Sequence, residues 1–251
     1  MTPHFLIYRD YGVSDTIRTE AFLKETFPSA VVGFTDAAAI RSGSLSKTPD
    51  AVLIVGGGAA TPYFLKLEAE GNTRIRDFVE NGGVYLGICA GAYYACTKTV
   101  FERDVPALRV CENYGLDLVD ATAVGTMHDV FGLKRFAFNA FAQTVALLTD
   151  ANGVRYAAHY YGGPFFDLHD TNVDVLAFYE KNARPAVVFK KYGAGKVLLS
   201  GVHFENTGDY LKKRSVEDAI DAKKTAEIAE TMTKHEGERA RLAEKIGAML
   251  F

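Results

Sequence analysis

The stretch from Val84 to Cys96, VYLGICAGAYYAC, constrains what this chain can fold into more than any other. Val84 to Ile88 has the β-branched, aromatic and apolar content of a buried strand. Ala90 to Ala95 begins a helix immediately afterwards. Cys89 sits at the junction between Gly87 and Gly91, which permit a sharp turn and close backbone packing. This is the strand–turn–helix arrangement of a nucleophile elbow, with cysteine in the place of serine. A thiol at a helix N-terminus meets the positive end of the dipole, which favours its thiolate. The plainer alternative is a buried structural cysteine.

A second motif weighs against that alternative. Val197 to Val202 (VLLSGV) reads as another strand, and it runs into His203-Phe204-Glu205. Along extended chain His203 and Glu205 point to the same side. An imidazole is thereby placed to serve a thiol, with a carboxylate to orient it. Glu205 could otherwise be a plain surface carboxylate; its spacing from His203 favours the orienting role.

GICAG followed at long range by HFE resembles the Cys-His-Glu triad of the class I glutamine amidotransferase-like superfamily. GICAGAYYA, taken with Tyr160-Tyr161-Gly162-Gly163-Pro164-Phe165-Phe166, is most similar to the domain at the N-terminus of biotin–protein ligases, a domain that also occurs free-standing. The resemblance covers roughly residues 3–210. It implies a flavodoxin-like α/β fold with Cys89, His203 and Glu205 as catalytic residues. It also implies that Gly57 or Gly58, with Ala90, offers backbone N–H groups to an oxyanion. Tyr161 and Gly162 would border the substrate.

Composition narrows the class. The 251 residues suit one large domain or a domain with an appendage, and 48% hydrophobic with 24% charged residues can fill a core. A net charge of −3, with no basic run interleaved with aromatics, gives no reason to expect nucleic-acid binding. Three cysteines make no disulfide framework and argue for a reducing compartment. No CxxC or HxxxH spacing suggests a metal, and no cofactor is called for. No apolar run reaches the roughly 18 residues a membrane helix needs, so no membrane association is expected. The chain reads as soluble and cytoplasmic, acting on a small-molecule substrate or ligand.

In chain order, His4–Arg9 predicts a first strand. A helix follows to about Phe27, capped by Ser14 or Asp15, with Ile17, Ala21 and Phe22 or Leu23 inward. Ala30–Phe34 is a second strand and Asp36–Ile40 a small helix. Ala51–Val55 is an unbroken apolar run typical of a parallel sheet, ending in Gly56-Gly57-Gly58. Those glycines lack the Lys-Ser/Thr of a P-loop and the spacing of a dinucleotide fingerprint, which leaves a tight turn or the oxyanion loop of the resemblance. Asn72–Asn81 predicts a helix closed by Gly82-Gly83. Alternating strands and helices give a doubly wound, mostly parallel sheet flanked by helices. Such sheets place ligands at the carboxyl ends of their strands, where Cys89, the glycine loop and His203 all fall.

From Leu116 to Ala158 the pattern is β-rich and less regular. Tyr156–Phe166 would bring His159, Tyr160 and Tyr161 near the pocket, with an ordinary aromatic strand the simpler account of Tyr160. Glycines in Lys190–Gly195 mark a hairpin that delivers His203 and Glu205. Residues 1–212 are read as the α/β domain and 213–251 as a helical extension. Ser215 with Asp218 resembles a capping box there, a break falls near Gly237, and Leu242, Ile246 and Leu250 recur at helical spacing. This extension packs on the core or, in a homodimer, on a second subunit.

Several residues read as structural. Cys96, about two helical turns after Cys89, should face the core from the same helix, and Cys111 has no partner motif. His128 and His169 each adjoin an Asp in ordinary loop composition. Glu102-Arg103-Asp104 and Lys212-Lys213-Arg214 read as solvated faces.

The chemistry expected is acyl transfer from an amide or ester. Glutamine amidotransferases usually carry Gln or His shortly after the nucleophile, where this chain has Ala92 and Tyr93, so a different substrate is expected. Biotin ligation belongs to a separate domain with a Gly-Arg-Gly loop, a motif this sequence does not contain. The competing expectation is a non-catalytic binding or regulatory module.

Overall fold

The protein is described by a computed structural model covering residues 2–133, 136–137, 139–217 and 221–251. Four apolar runs, β1 (His4–Tyr8), β3 (Val52–Val55), β4 (Val84–Ile88) and β13 (Gly195–Ser200), pair in parallel, with β2 (Val31–Thr35) at the edge. Beyond β13 the sheet turns antiparallel through β12 (Pro185–Tyr192), β11 (Asp174–Tyr179), β8 (Gln143–Thr149) and β9 (Arg155–Tyr161), making nine strands in the order β2-β1-β3-β4-β13-β12-β11-β8-β9.

Strand alternation separates two cores. Phe5, Ile7, Ile54, Leu86 and Leu198 face one side, with Phe22 and Leu23 of α1 (Thr16–Thr26) and Leu242, Ile246 and Leu250 of α8 (Glu236–Leu250). Leu53, Val55, Tyr85 and Leu199 face the other. There they meet α2 (Ala37–Arg41), α3 (Ala60–Glu80) and α4 (Ala90–Ala95). Helices on both faces of the parallel strands make the arrangement doubly wound.

The predicted helix at 72–81 is the second half of α3, whose helical backbone is interrupted at Glu68. It ends as its glycines require: Gly82 takes φ 115°, its N–H donates to Val79, and that of Gly83 donates to Phe78. Ile17 is 77% exposed, and α1 instead buries Arg18, Thr19, Phe22 and Leu23. The Asp15 carboxylate caps no N–H of α1; it pairs with Arg214 at 2.9 Å.

The irregular middle of the chain supplies a second sheet of four strands, ordered β10 (Phe165–Leu168), β7 (Val119–Gly125), β5 (Cys96–Phe101) and β6 (Val110–Glu112). The stretch 156–166 is divided between the two sheets at Gly162–Pro164. Cys96 therefore opens a strand and does not share a helix with Cys89, because α4 stops after six residues. Glu102 is buried: a positive φ of 46° turns it inward, where it accepts from the Thr126 hydroxyl and faces His128, the first residue of the short helix α5 (His128–Phe131), at 3.4 Å.

Helices α6 (Gly208–Glu217) and α7 (Ala222–Lys234) pack by Leu211, Ile228 and Met232 against β9. Ser215 lies inside α6 and starts no helix, and Asp218 lies outside the described residues. The break between α7 and α8 falls at His235. No helix among the described residues is long and apolar enough to cross a membrane.

Candidate functional site

Cys89 leaves β4 and enters α4 with φ 51° and ψ −104°, a conformation that costs a non-glycine residue roughly 1–3 kcal/mol. The surroundings hold it there. Its N–H donates to Ser200 at the end of β13 (2.9 Å), and its carbonyl accepts from Ala92 and Tyr93. Gly91 donates to Gly56 at 3.1 Å, and a Cβ at Gly91 would stand 1.9 Å from the Val55 carbonyl oxygen. Only glycine lets α4 come this close to β3.

Because β13 runs parallel to β4 with Ser200 opposite Ile88, the residues after each strand emerge side by side. His203 is buried and borders the same cavity as Cys89. His203 Nδ1 lies 2.7 Å from Glu205 Oε1. Burial alone disfavours a charged ring. The Glu205 carboxylate, its hydrogen bond to the ring and the nearby Cys89 sulfur outweigh it and raise the His203 pKa well above its ordinary value.

The segment carrying these groups is held from outside. Arg18 of α1 donates to the Glu205 carbonyl at 2.7 Å, and Arg239 of α8 to the Phe204 carbonyl at 2.8 Å. The His203 N–H donates to the His159 carbonyl. The His159 ring, in turn, lies 3.0 Å from both Gln143 Oε1 and Asn206 Nδ2. Burial first, then the charges of His203 and Arg214, holds the His159 pKa well below its ordinary value, so this imidazole stays neutral.

The glycine loop lies against the same groups. Gly57 is under the His203 ring: a Cβ there would meet Cε1 at 2.8 Å. The Gly57 carbonyl accepts from the Ser14 N–H (2.9 Å) and the Tyr63 hydroxyl (2.8 Å). A trans peptide points its C=O and the following N–H in opposite directions, so the Gly58 N–H turns away from those donors. The Ala90 N–H is among the first of α4, donors that no intrahelical acceptor can reach.

A cavity of about 620 Å³ opens over Cys89, bordered by Gly58, Ala90, Tyr161, Gly162, His203 and the Asp15–Arg214 pair. This lies within the roughly 300–1,000 Å³ of small-molecule sites. Of the residues expected at the site, Gly58, Cys89, Ala90, Tyr161, Gly162 and His203 border the cavity, while Glu205 lies behind His203 and Gly57 against its ring. Tyr160 points the other way, into the core, where its hydroxyl donates to Gly163 and accepts from Met127. The sequence did not reveal Arg18, Arg239, Gln143, Asn206 or Arg214, since isolated polar residues in helices and loops carry no spacing signal. Arg214 lies in the run Lys212-Lys213-Arg214, which stays exposed while Arg214 borders the cavity. Among the described residues no group of three His, Cys, Asp or Glu could hold a metal ion.

The doubly wound sheet with Cys89 on a strained turn at its carboxyl edge is the class I glutamine amidotransferase-like fold. Solved structures that share it include a Thermotoga maritima glutamine amidotransferase, with a TM-score of 0.59, 16% identity, and coverage of 100% of this chain and 99% of that one. Another glutamine amidotransferase matches with a TM-score of 0.55, 21% identity, and coverage of 80% and 90%. The family model described as biotin-protein ligase, N terminal, matches residues 4–250, and the chain belongs to that family. A Schizosaccharomyces pombe biotin–protein ligase is 30% identical over 80% of this chain, and an uncharacterized protein of Chlamydia muridarum is 31% identical over 61%. The chain spans 33% of the yeast relative's length and 60% of the chlamydial one's.

Proposed function

We infer that this protein is a cysteine-dependent acyl-transfer enzyme, an amidase-like hydrolase. The observation that carries the reading is the His203 ring, which borders the same cavity as Cys89 and lies 2.7 Å by Nδ1 from Glu205 Oε1. Its raised pKa favours an imidazolium, the partner of a thiolate. The Cys89 thiolate attacks the substrate carbonyl carbon, and the N–H groups of Ala90 and Gly58 receive the oxyanion. As the C–N bond breaks, His203 gives its proton to the departing amine and leaves a thioester on Cys89. His203 then takes a proton from the attacking water, and the C–S bond breaks to release the carboxylic acid and return the thiolate–imidazolium pair. Glu205 holds the tautomer and stabilises the imidazolium.

Intact-protein mass spectrometry after exposure to activated esters and anilides tests this. One acyl group should add to the wild type and none to Cys89→Ala. Equal labelling of the two proteins would remove the catalytic role. The second reading, a ligand-binding module, rests on the size of the cavity and on the domain's place as one third of the yeast ligase. It predicts binding without acylation.

A further inference from the structure

Resting on that acyl-transfer reading, we propose that the substrate is an amide with an apolar acyl group, aryl or branched alkyl, and not glutamine. The ground is the division of the cavity walls. Tyr93, Phe101, Phe136 and Tyr161 all border the cavity and form a continuous chain of rings, with centroids 5.8, 5.2 and 5.7 Å apart. The chain begins and ends at the nucleophile. Tyr93 lies in the first turn after Cys89, and the Cys89 sulfur lies 3.5 Å from the Tyr161 carbonyl oxygen.

The hydroxyls along this wall are already engaged. Tyr93 donates to the Gly162 carbonyl at 3.1 Å and Tyr161 to the Ala137 carbonyl at 3.5 Å. Thr99 donates to the Tyr93 carbonyl at 2.9 Å. The surface that this wall offers is mostly aromatic ring and carbon. That surface gains free energy by covering an apolar group. It loses by desolvating the ammonium or carboxylate of a free amino acid without a partner. Among the described residues, the carboxylate and guanidinium that border the cavity, Asp15 and Arg214, pair with each other at 2.9 Å. The polar leaving group belongs with them and with His203, which must protonate it.

Binding and chemistry are tested separately. Cys89→Ala protein is titrated calorimetrically with phenylacetamide, acetamide and L-glutamine. Wild type is treated with p-nitrophenyl phenylacetate, p-nitrophenyl acetate and L-γ-glutamyl-p-nitroanilide, and thioester on Cys89 is followed by mass. Phenylacetamide should bind at least about ten-fold more tightly than either other amide, and the phenylacetyl ester should react at least about ten-fold faster than the acetyl ester, corrected for spontaneous hydrolysis. Phe101→Leu and Phe136→Leu, which keep an apolar side chain for folding, should each cut the phenylacetyl-to-acetyl ratio severalfold, with melting temperature as the folding control. Preference for glutamine or the γ-glutamyl donor, or a ratio near one, overturns the proposal even where Cys89 is acylated. Tight phenylacetamide binding without acylation by any donor upholds the apolar chamber and overturns the acyl-transfer reading instead. Neither binding nor acylation overturns both.

Discussion

His203 Nδ1 stands 2.7 Å from Glu205 Oε1, both side chains being buried at the carboxyl edge of the sheet. The contact reserves one ring nitrogen for the carboxylate and leaves the other to Cys89. In Glu205→Gln the His203 pKa should fall, because the charge that outweighs burial is gone; an NMR titration of the ring reads this directly. His203→Ala should slow acylation of Cys89 by about 10²–10⁴-fold, the usual worth of a positioned acid–base group. A smaller loss would demote His203 to a packing residue.

The two buried histidines bias stability in opposite directions with pH. His203 has a raised pKa in the fold, so its stabilisation is complete below its unfolded value of about 6.5 and is lost as pH rises through the raised value. His159 has a lowered pKa, so folding loses stability as pH falls below about 6.5, where the unfolded ring takes a proton that the buried one refuses. Melting temperatures measured against pH should show the deficit of Glu205→Gln shrinking on the alkaline side. His159→Gln should flatten the acid side. Parallel curves for all three proteins would contradict the assignment.

Thiol labelling separates the three cysteines by surroundings. Cys111 is exposed, Cys89 borders the cavity, and Cys96 is fully buried with its thiol pKa pushed up by burial. Iodoacetamide applied to the native protein should modify Cys111 and Cys89 and spare Cys96 until denaturant is added. Modification of Cys96 at the rate of Cys89 would mean that α4 and β5 open readily.

Two glycine substitutions should part function from folding. Gly57→Ala places a methyl against the His203 ring, a side chain that can tilt aside, so acylation should fall at least about ten-fold with a modest change in melting temperature. Gly91→Ala drives a methyl into the Val55 carbonyl, which is backbone, and should destabilise by about 3 kcal/mol or more. Chemical denaturation and acylation assays on both variants check the contrast.

Arg239→Ala removes the donor to the buried Phe204 carbonyl and should cost about 1–3 kcal/mol by urea unfolding. It should also slow acylation, since Phe204 lies between His203 and Glu205. Arg241→Ala, on the exposed side of the same helix, serves as the control and should change stability by no more than about 0.5 kcal/mol.

The parallel half of the fold was legible because its strands are unbroken apolar runs ending in glycine or in the reactive motifs. The same pattern located Cys89, His203, Glu205 and the glycine loop. The second sheet was legible only in part: β7 alternates and falls in the stretch read as β-rich, but β5 and β6 alternate weakly, and α4 stops at Ala95 where propensity alone would continue it into Cys96. Ile17 misled because a helical stripe of four candidates does not say which member tertiary packing will use. Arg18 won that face by reaching the Glu205 carbonyl. Glu102 misled because charge in a short run reads as solvent-facing, whereas here a turn and a threonine hydroxyl bring it inside.

The clasp of Arg239 on Phe204 also bears on how the molecule matures. During synthesis the elbow around Cys89 leaves the ribosome long before its neighbour strand β13 exists, and longer still before α8 secures the loop after it. A nascent chain therefore carries the thiol without the histidine or the carboxylate. The three side chains can meet only after the chain has been made through Glu205, and the loop that carries two of them is clasped only once α8 follows.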